Sequence, residues 1–315
     1  MITFKEKLRK YDIKKKKLLL FTHIDTDGFS CFIVAKQHCS FVRYFMCDYG
    51  NIEEKMRETM EDDFILDYDM VILSDLSVSV EFAQEFHDYC ASHNIPFYII
   101  DHHQKAIALN ELNYATVLVS KNDRLTCATE LLQDFFIDLG GQDNELFREY
   151  IEDVRQYDIW DWKITNNTKA RDWNTLCFLL PKKDYFDSVQ QKLRDNDLSF
   201  NENEKFLLKL EEDRINFYVT RKLKSIEYRE ISGYHCAIVL AEQYINEIAE
   251  KLKEDKENDI IIIIGFNGIS YRTDKEIDLN VFASQFGGGG HVKASGSTVP
   301  NEAKNNYINE IFHLN

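Results

Sequence analysis

Three short apolar runs in the first third of the chain each end in Asp or His, and helix-like segments separate them. Residues 18–20 lead into Phe21-Thr22-His23-Ile24-Asp25-Thr26-Asp27-Gly28, Met70-Val71-Ile72-Leu73 into Ser74-Asp75, and Pro96-Phe97-Tyr98-Ile99-Ile100 into Asp101-His102-His103. Unbroken apolar runs of this length suit strands buried on both faces. Alternating with amphipathic helices, they predict a parallel sheet wrapped by helices. The ligand crevice of such a sheet lies outside the carboxyl ends of its strands, where these polar side chains fall. Side chains two apart in an extended segment point the same way, so His23, Asp25 and Asp27 converge. Crowded together, such groups repel or shift their pKa values unless a cation sits among them.

The same alternation organises the rest of the chain. Residues 28–39 read as helix, 41–46 as strand, 51–63 as helix, Met70–Ser74 as strand, Val80–Ser92 as helix and 96–100 as strand. A further strand is expected in 114–120, then a helix over 126–139 with Gly140-Gly141 just past its end. The pattern from 144 to 196 is mostly helical. Residues 201–229 contain no Gly or Pro and predict a long connecting helix, without the clean heptads of a coiled-coil arm. After Gly233 comes a smaller unit, with strands at 234–240, 259–265 and 269–272 and helices at 244–254 and 279–286. The fold expected is α/β. A larger N-terminal domain with a mostly parallel sheet flanked by helices takes residues 1–196, a linking helix 197–232, and a smaller C-terminal α/β domain 233–315.

Bulk properties narrow the function. No run approaches the ~20 apolar residues that span a bilayer, and the first residues carry Lys and Glu where a signal region is apolar. No membrane partner and a cytoplasmic location are therefore expected. The seven cysteines are scattered singly with no Cys-x-x-Cys, which suits a reducing compartment. A net charge of −16 counts against gripping long duplex nucleic acid through a basic face. The basic run at residues 14–17 leads straight into the first strand and reads as its solvated entry. Acidity of this size points to short or small phosphate substrates, drawn in locally by cations.

Two later motifs complete the set: Asp158 in Gln156-Tyr157-Asp158-Ile159-Trp160, and Gly287-Gly288-Gly289-Gly290-His291 with Ala294-Ser295-Gly296 after it. With its motifs in this order the chain resembles the DHH phosphoesterase superfamily, named for the Asp-His-His triplet found here at 101–103. The glycine-rich stretch resembles the signature of the DHH-associated C-terminal domain. The Thr-His-x-Asp-x-Asp-Gly wording is more similar to nano-RNase B-like members than to those reading His-x-x-Pro-Asp-x-Asp. The resemblance implies one metal site of His23, Asp25 and Asp75, and a second of Asp27, His102 and Asp158. Asp75 is shared, because one carboxylate offers two oxygens. Mixed carboxylate and imidazole donors suit a divalent transition metal, Mn²⁺ ahead of Zn²⁺ or Mg²⁺. Two such ions about 3.5–4 Å apart activate water and clamp a phosphoryl group. Asp158 is preferred over Asp153 as the last ligand, since Tyr-Asp-Ile-Trp better matches the family's Asp-Leu-Trp. Taken singly, Asp25 and Asp27 are equally suited to cap a helix beside Gly28, Asp75 to cap the segment after its strand, and Asp101 to cap a turn.

By the same resemblance Asp101 is expected to orient His102, leaving His103 to meet the substrate and give a proton to the departing ribose oxygen. The competing reading of His103 is a core imidazole satisfied by a carbonyl. Gly288, Gly289 and Gly290 with His291 are expected to bring main-chain N–H groups close to an anion, with a flexible hinge as the alternative. Arg272 resembles the family's substrate arginine and could hold a phosphate bidentately; a plain surface arginine competes. The larger domain would carry the metals and the smaller the phosphate or nucleotide end of the substrate, giving cleavage near a chain end and release of nucleoside monophosphates. The expected activity is a Mn²⁺-dependent phosphodiesterase, exoribonuclease-like, acting on short RNA or a small nucleotide such as 3′-phosphoadenosine-5′-phosphate. A cyclic or linear dinucleotide signalling phosphodiesterase and a non-catalytic nucleotide-binding protein are the alternatives. A homodimer is compatible with the sequence, which leaves RNA against DNA and the polarity of attack open.

Overall fold

The structure, a computed structural model, describes residues 13–314. The chain divides into two compact units, Met1–Lys205 and Phe206–Asn315. In the first, strands β1 (Lys17–His23), β2 (Phe41–Cys47), β3 (Met70–Ser74), β4 (Phe97–Asp101) and β5 (Ala115–Val117) form one sheet in the order β2-β1-β3-β4-β5. Every pairing in it is parallel. Helices α1 (Thr26–His38), α2 (Ile52–Glu61), α3 (Val80–Ser92) and α4 (Ala128–Asp138) connect or succeed the strands. Both sheet faces are buried, as the unbroken apolar runs require. Leu19, Phe21, Val71, Leu73, Phe97 and Ile99 pack with Ile52 and Met56 of α2 and Phe82 and Phe86 of α3. On the opposite face, Tyr98 meets Phe135 of α4 with ring centroids 4.9 Å apart.

A helical layer comes next: α5 (Glu145–Asp158), a single turn at Asp161–Thr165, α6 (Thr168–Leu179) and α7 (Lys182–Asp195). The fully buried Tyr150, Trp173 and Tyr185 knit it together, and Ser30 and Tyr150 share a 2.7 Å hydrogen bond that ties it to α1. Sandwiched between sheet and helical layer, α1 is buried almost all round, which explains its largely apolar sequence.

Helix α8 (Glu202–Lys222) contains the boundary between the units. The second unit is a mixed sheet of β6 (Glu227–Ile231), β7 (Tyr234–Leu240), β8 (Ile260–Ile264), β9 (Gly268–Arg272), β10 (Gly289–Gly290) and β11 (Ala294–Thr298), with helices α9 (Ile245–Lys253), α10 (Leu279–Ser284) and α11 (Asn301–Phe312). Its order is β10-β11-β9-β8-β7-β6, and β7 and β8 are parallel across the α9 crossover. Here the structure departs from the helical pattern expected through residue 229. The helix stops at Lys222, and β6 pairs back on β7 through Ser232-Gly233. Both turn residues have positive φ, +52° and +82°, the geometry of a two-residue hairpin. Among the described residues no helix is long and apolar enough to cross a membrane. All seven cysteines are buried and unpaired.

Strand order decides where a ligand can sit. From β1 the chain moves outward to β2, then returns across β1 to β3, so the connections diverge at the β1/β3 boundary and leave a crevice at its carboxyl end. His23 closes β1, Asp75 comes just after the last residue of β3, and Asp101 closes β4.

Candidate metal centre

Helix α1 begins three residues after His23, and Gly28 makes that possible. A Cβ there would lie 2.2 Å from the His23 carbonyl oxygen, so any larger residue pushes the helix off the strand end. Asp25 caps α1, its Oδ1 accepting from the Gly28 N–H at 2.9 Å, while its Oδ2 stands 2.7 Å from His23 Nδ1. Capping and clustering are thus one arrangement. Asp27 does a different job. Its Oδ2 accepts from the Ala128 N–H at 2.8 Å and its Oδ1 from the Thr129 N–H at 3.0 Å, the first two residues of α4. The positive end of that helix therefore holds a buried carboxylate, and the Thr129 hydroxyl donates to the Asp27 carbonyl at 2.8 Å.

Asp75 lies at the focus. Its backbone has φ +58°, a left-handed conformation that Asp tolerates better than most residues. One oxygen, Oδ2, stands 3.8 Å from His23 Nδ1, and the other, Oδ1, 3.3 Å from His102 Nε2. His102 Nε2 also lies 3.5 Å from Asp158 Oδ2 and 3.8 Å from Asp27 Oδ2. Asp75 Oδ2 and His102 Nε2 are both buried without a hydrogen-bond partner. The Thr126 backbone lies close to the His102 ring, and Nε2 faces the carboxylates.

The charges are in conflict. Burial, then the charges of Asp25, Asp27 and Asp158, pushes the Asp75 carboxyl well above the usual range. Burial, then Asp27 and Asp25, does the same to Asp158. Burial pulls His102 downward, toward the neutral imidazole that can ligate. The donor atoms of His23, Asp25 and Asp75 lie within 4.8 Å of one another, as do those of Asp27, His102 and Asp158, and those of Asp75, Asp101, His102 and His103. A divalent cation would neutralise the crowded carboxylates and give both unpartnered atoms a partner. These residues fit a metal.

Asp158 ends α5 inside this cluster, whereas Asp153 lies apart from it. Asp153 accepts from Asn167 Nδ2 at 2.7 Å and from Trp173 Nε1 at 3.2 Å, with Lys169 Nζ at 3.7 Å. Asp101 departs from expectation. Its Oδ1 accepts from the backbone N–H groups of His102 at 2.7 Å and His103 at 3.3 Å, and meets His103 Nδ1 at 2.8 Å. The carboxylate curls over the next two peptide N–H groups, which puts it beside the ring of His103 rather than that of His102. Burial works to lower the pKa of His103, yet the hydrogen bond and charge of Asp101 outweigh it and raise it. The two N–H groups that clamp Asp27 are not visible in the sequence. Thr126-Cys127-Ala128-Thr129-Glu130 signals a helix start, but nothing local says which carboxylate that helix faces.

In the second unit, Arg272 ends β9, and burial lowers its pKa. Its guanidinium donates to the carbonyls of Tyr271 (2.9 Å) and Ser295 (3.4 Å) and to Asn246 Oδ1 (3.4 Å), and pairs with no carboxylate among the described residues. The glycine run has packing duties of its own. A Cβ on Gly288 would lie 2.1 Å from the Gly296 carbonyl oxygen. The Gly287, Gly288 and Gly290 N–H groups already donate to Ser284 O, Ala283 O and Asn280 Oδ1. That leaves fewer free main-chain donors than four glycines suggest. Gly289 pairs with Gly296 in the β10–β11 ladder. His291 is exposed, and its backbone closes a tight turn with Ala294.

The DHHA1 domain family matches residues 235–314. The oligoribonuclease NrnB of Bacillus subtilis is 31% identical over 312 residues, covering 94% of this chain and 76% of that protein. Among solved structures, exonuclease RecJ bound to manganese superposes with TM-score 0.60 at 11% identity, covering 98% of this chain and 92% of the other. The pGpG-specific phosphodiesterase PggH from Vibrio cholerae gives 0.54 at 12%, covering 95% and 98%. These two likenesses establish a shared fold. The match to NrnB goes further, since its identity is higher and extends along nearly the whole sequence, and by it the chain belongs to the DHH phosphoesterases that carry a DHHA1 domain.

Proposed function

We propose that this protein is a Mn²⁺-dependent phosphodiesterase that trims very short oligoribonucleotides from an end to nucleoside monophosphates. The observation that carries the proposal is Asp75, a buried carboxylate with one oxygen toward His23 and the other toward His102. His23, Asp25 and Asp75 would hold one cation, and Asp27, His102 and Asp158, again with Asp75, a second. Bound there, such ions lower the pKa of water and neutralise charge on the phosphoryl group.

The chain's own side chains do the rest. Asp101 fixes the ring of His103 and favours its protonated form, which suits it to donate to the departing ribose oxygen. Arg272, without a carboxylate partner among the described residues, keeps donors for a substrate phosphate; Gly288, Gly289, Gly290 and His291 would flank that phosphate. A net charge of −16 and the oligoribonuclease among the relatives support a short RNA substrate. Buried, unpaired cysteines suit the cytoplasm.

The test is a product analysis of purified protein with Mn²⁺, Mg²⁺ or Zn²⁺. Substrates are labelled di- to heptaribonucleotides, 3′-phosphoadenosine-5′-phosphate, a cyclic dinucleotide and long duplex DNA. Mononucleotide release from the shortest RNAs, fastest with Mn²⁺ and abolished by EDTA, is expected. Preference for long duplex, or turnover indifferent to chelation, overturns the proposal. A paired substitution checks the last ligand. Asp158→Asn should cut turnover by about 100-fold or more with little change in melting temperature. Asp153→Asn should keep turnover and lower stability by about 1 kcal/mol, through its bonds to Asn167 and Trp173.

A further inference from the structure

We infer that Tyr49 is the platform on which the nucleobase of the departing nucleoside stacks, an assignment that rests on the hydrolytic reading above. Strand β2 pairs with β1 so that Cys47 lies opposite His23, and the segment after β2 therefore emerges beside the metal cluster. A tight turn fixes it. The Gly50 N–H donates to Asp48 Oδ1 at 2.7 Å, the Asp48 N–H to Asn51 Oδ1 at 3.0 Å, and the Ile52 N–H to the Asp48 carbonyl at 3.1 Å. The Tyr49 ring stands 6.1 Å from the ring of His23 and 6.2 Å, edge to face, from that of His103. Its hydroxyl lies near the Ser77 side chain. The turn holds the backbone and two imidazoles flank the ring, yet the residue is 55% exposed.

A half-open aromatic ring on a fixed turn, against two imidazoles at a phosphoester-cleaving cluster, matches a nucleotide's shape. The phosphate belongs with the cations, and the base lies one sugar away. The ring is uncharged and competes with no carboxylate for a cation. Every base offers a π-face, so stacking tolerates any sequence, as trimming of arbitrary short RNA requires. Contact with His103, the proposed proton donor to the departing oxygen, puts the base on the departing side.

The test compares a diribonucleotide with two analogues, one abasic at the departing nucleoside and one abasic at the other. For the unmodified protein, kcat/KM should fall roughly tenfold when the departing base is removed. In Tyr49→Ala that ratio should collapse toward one, while the ratio for the other base stays as in the unmodified protein. Tyr49→Phe should restore the discrimination. A Tyr49→Ala loss of equal size on all three substrates makes the ring a support for the histidines and overturns the inference; so does a loss that tracks the other base. Should the unmodified protein hydrolyse none of them, the hydrolytic reading falls by itself. Equilibrium binding of the same three compounds then decides for Tyr49: affinity that drops with the departing base only when Tyr49 is present supports it, and equal affinities overturn it.

Discussion

Asp75→Asn is expected to cut metal-dependent turnover on the order of 10³-fold while raising the melting temperature of the metal-stripped protein. The two effects share a cause. The carboxylate is buried, one of its oxygens has no hydrogen-bond partner, and Asp25, Asp27 and Asp158 crowd it. Neutralising a buried, uncompensated charge stabilises a fold by about 1–2 kcal/mol, or roughly 3–6 °C for a unit of this size. Asn is the right replacement because φ is +58° here, where Ala would add about 1 kcal/mol of left-handed strain. The raised pKa sets the sign with pH. Held above its unfolded value near 3.9, Asp75 binds its proton more tightly in the fold than in the unfolded chain. Stability of the metal-stripped protein therefore falls as pH rises from about 4 through the folded pKa. The variant lacks that fall, so its advantage should widen as pH increases. Thermal melts in EDTA between about pH 4 and 8, repeated with added Mn²⁺, read both parts. Manganese should stabilise the original protein more than the variant. Turnover within about tenfold of the original, or a lower melting temperature in EDTA, would remove Asp75 from the centre.

The strand ends were legible and their supports were not, and the range of each interaction explains the difference. Met70–Ser74 and its neighbours announce themselves by continuous apolar composition, and a parallel sheet puts the residues after each strand at the same end of the sheet. Three strands ending in His23, Asp75 and Asp101 therefore already imply a cluster. By contrast, the clamp on Asp27 joins residues 101 and 102 positions away, and no local pattern encodes that partner. The exchange of roles at Asp101 turned on which way one carboxylate folds over its own backbone, a choice that spacing leaves open. Helix-favouring Glu and Arg hid β6, although Ser232-Gly233 marks a turn. β11 and α11 lie beyond the glycine run, where the alternation that marks the earlier strands fades.

Asp27→Ala should behave differently from Asp75→Asn, losing turnover and stability together. Removing Asp27 leaves the Ala128 and Thr129 N–H groups, both buried, without acceptors at the start of α4. Loss of a helix cap costs about 1–2 kcal/mol, and an unsatisfied buried donor about 1–3 kcal/mol. A destabilisation of roughly 2–3 kcal/mol is therefore expected, partly offset by relief of the carboxylate crowding. Asn would recover little, because its amide offers one oxygen where two N–H groups point and turns its NH₂ toward the other. Urea denaturation of the metal-stripped protein should show a lower midpoint with an unchanged slope. An unchanged midpoint would mean that α4 does not depend on Asp27. The two substitutions together separate scaffold from chemistry. A cluster that served only to hold the fold would lose stability at both positions. A cluster assembled for cations loses activity at both, and stability only at Asp27, whose carboxylate also carries a helix.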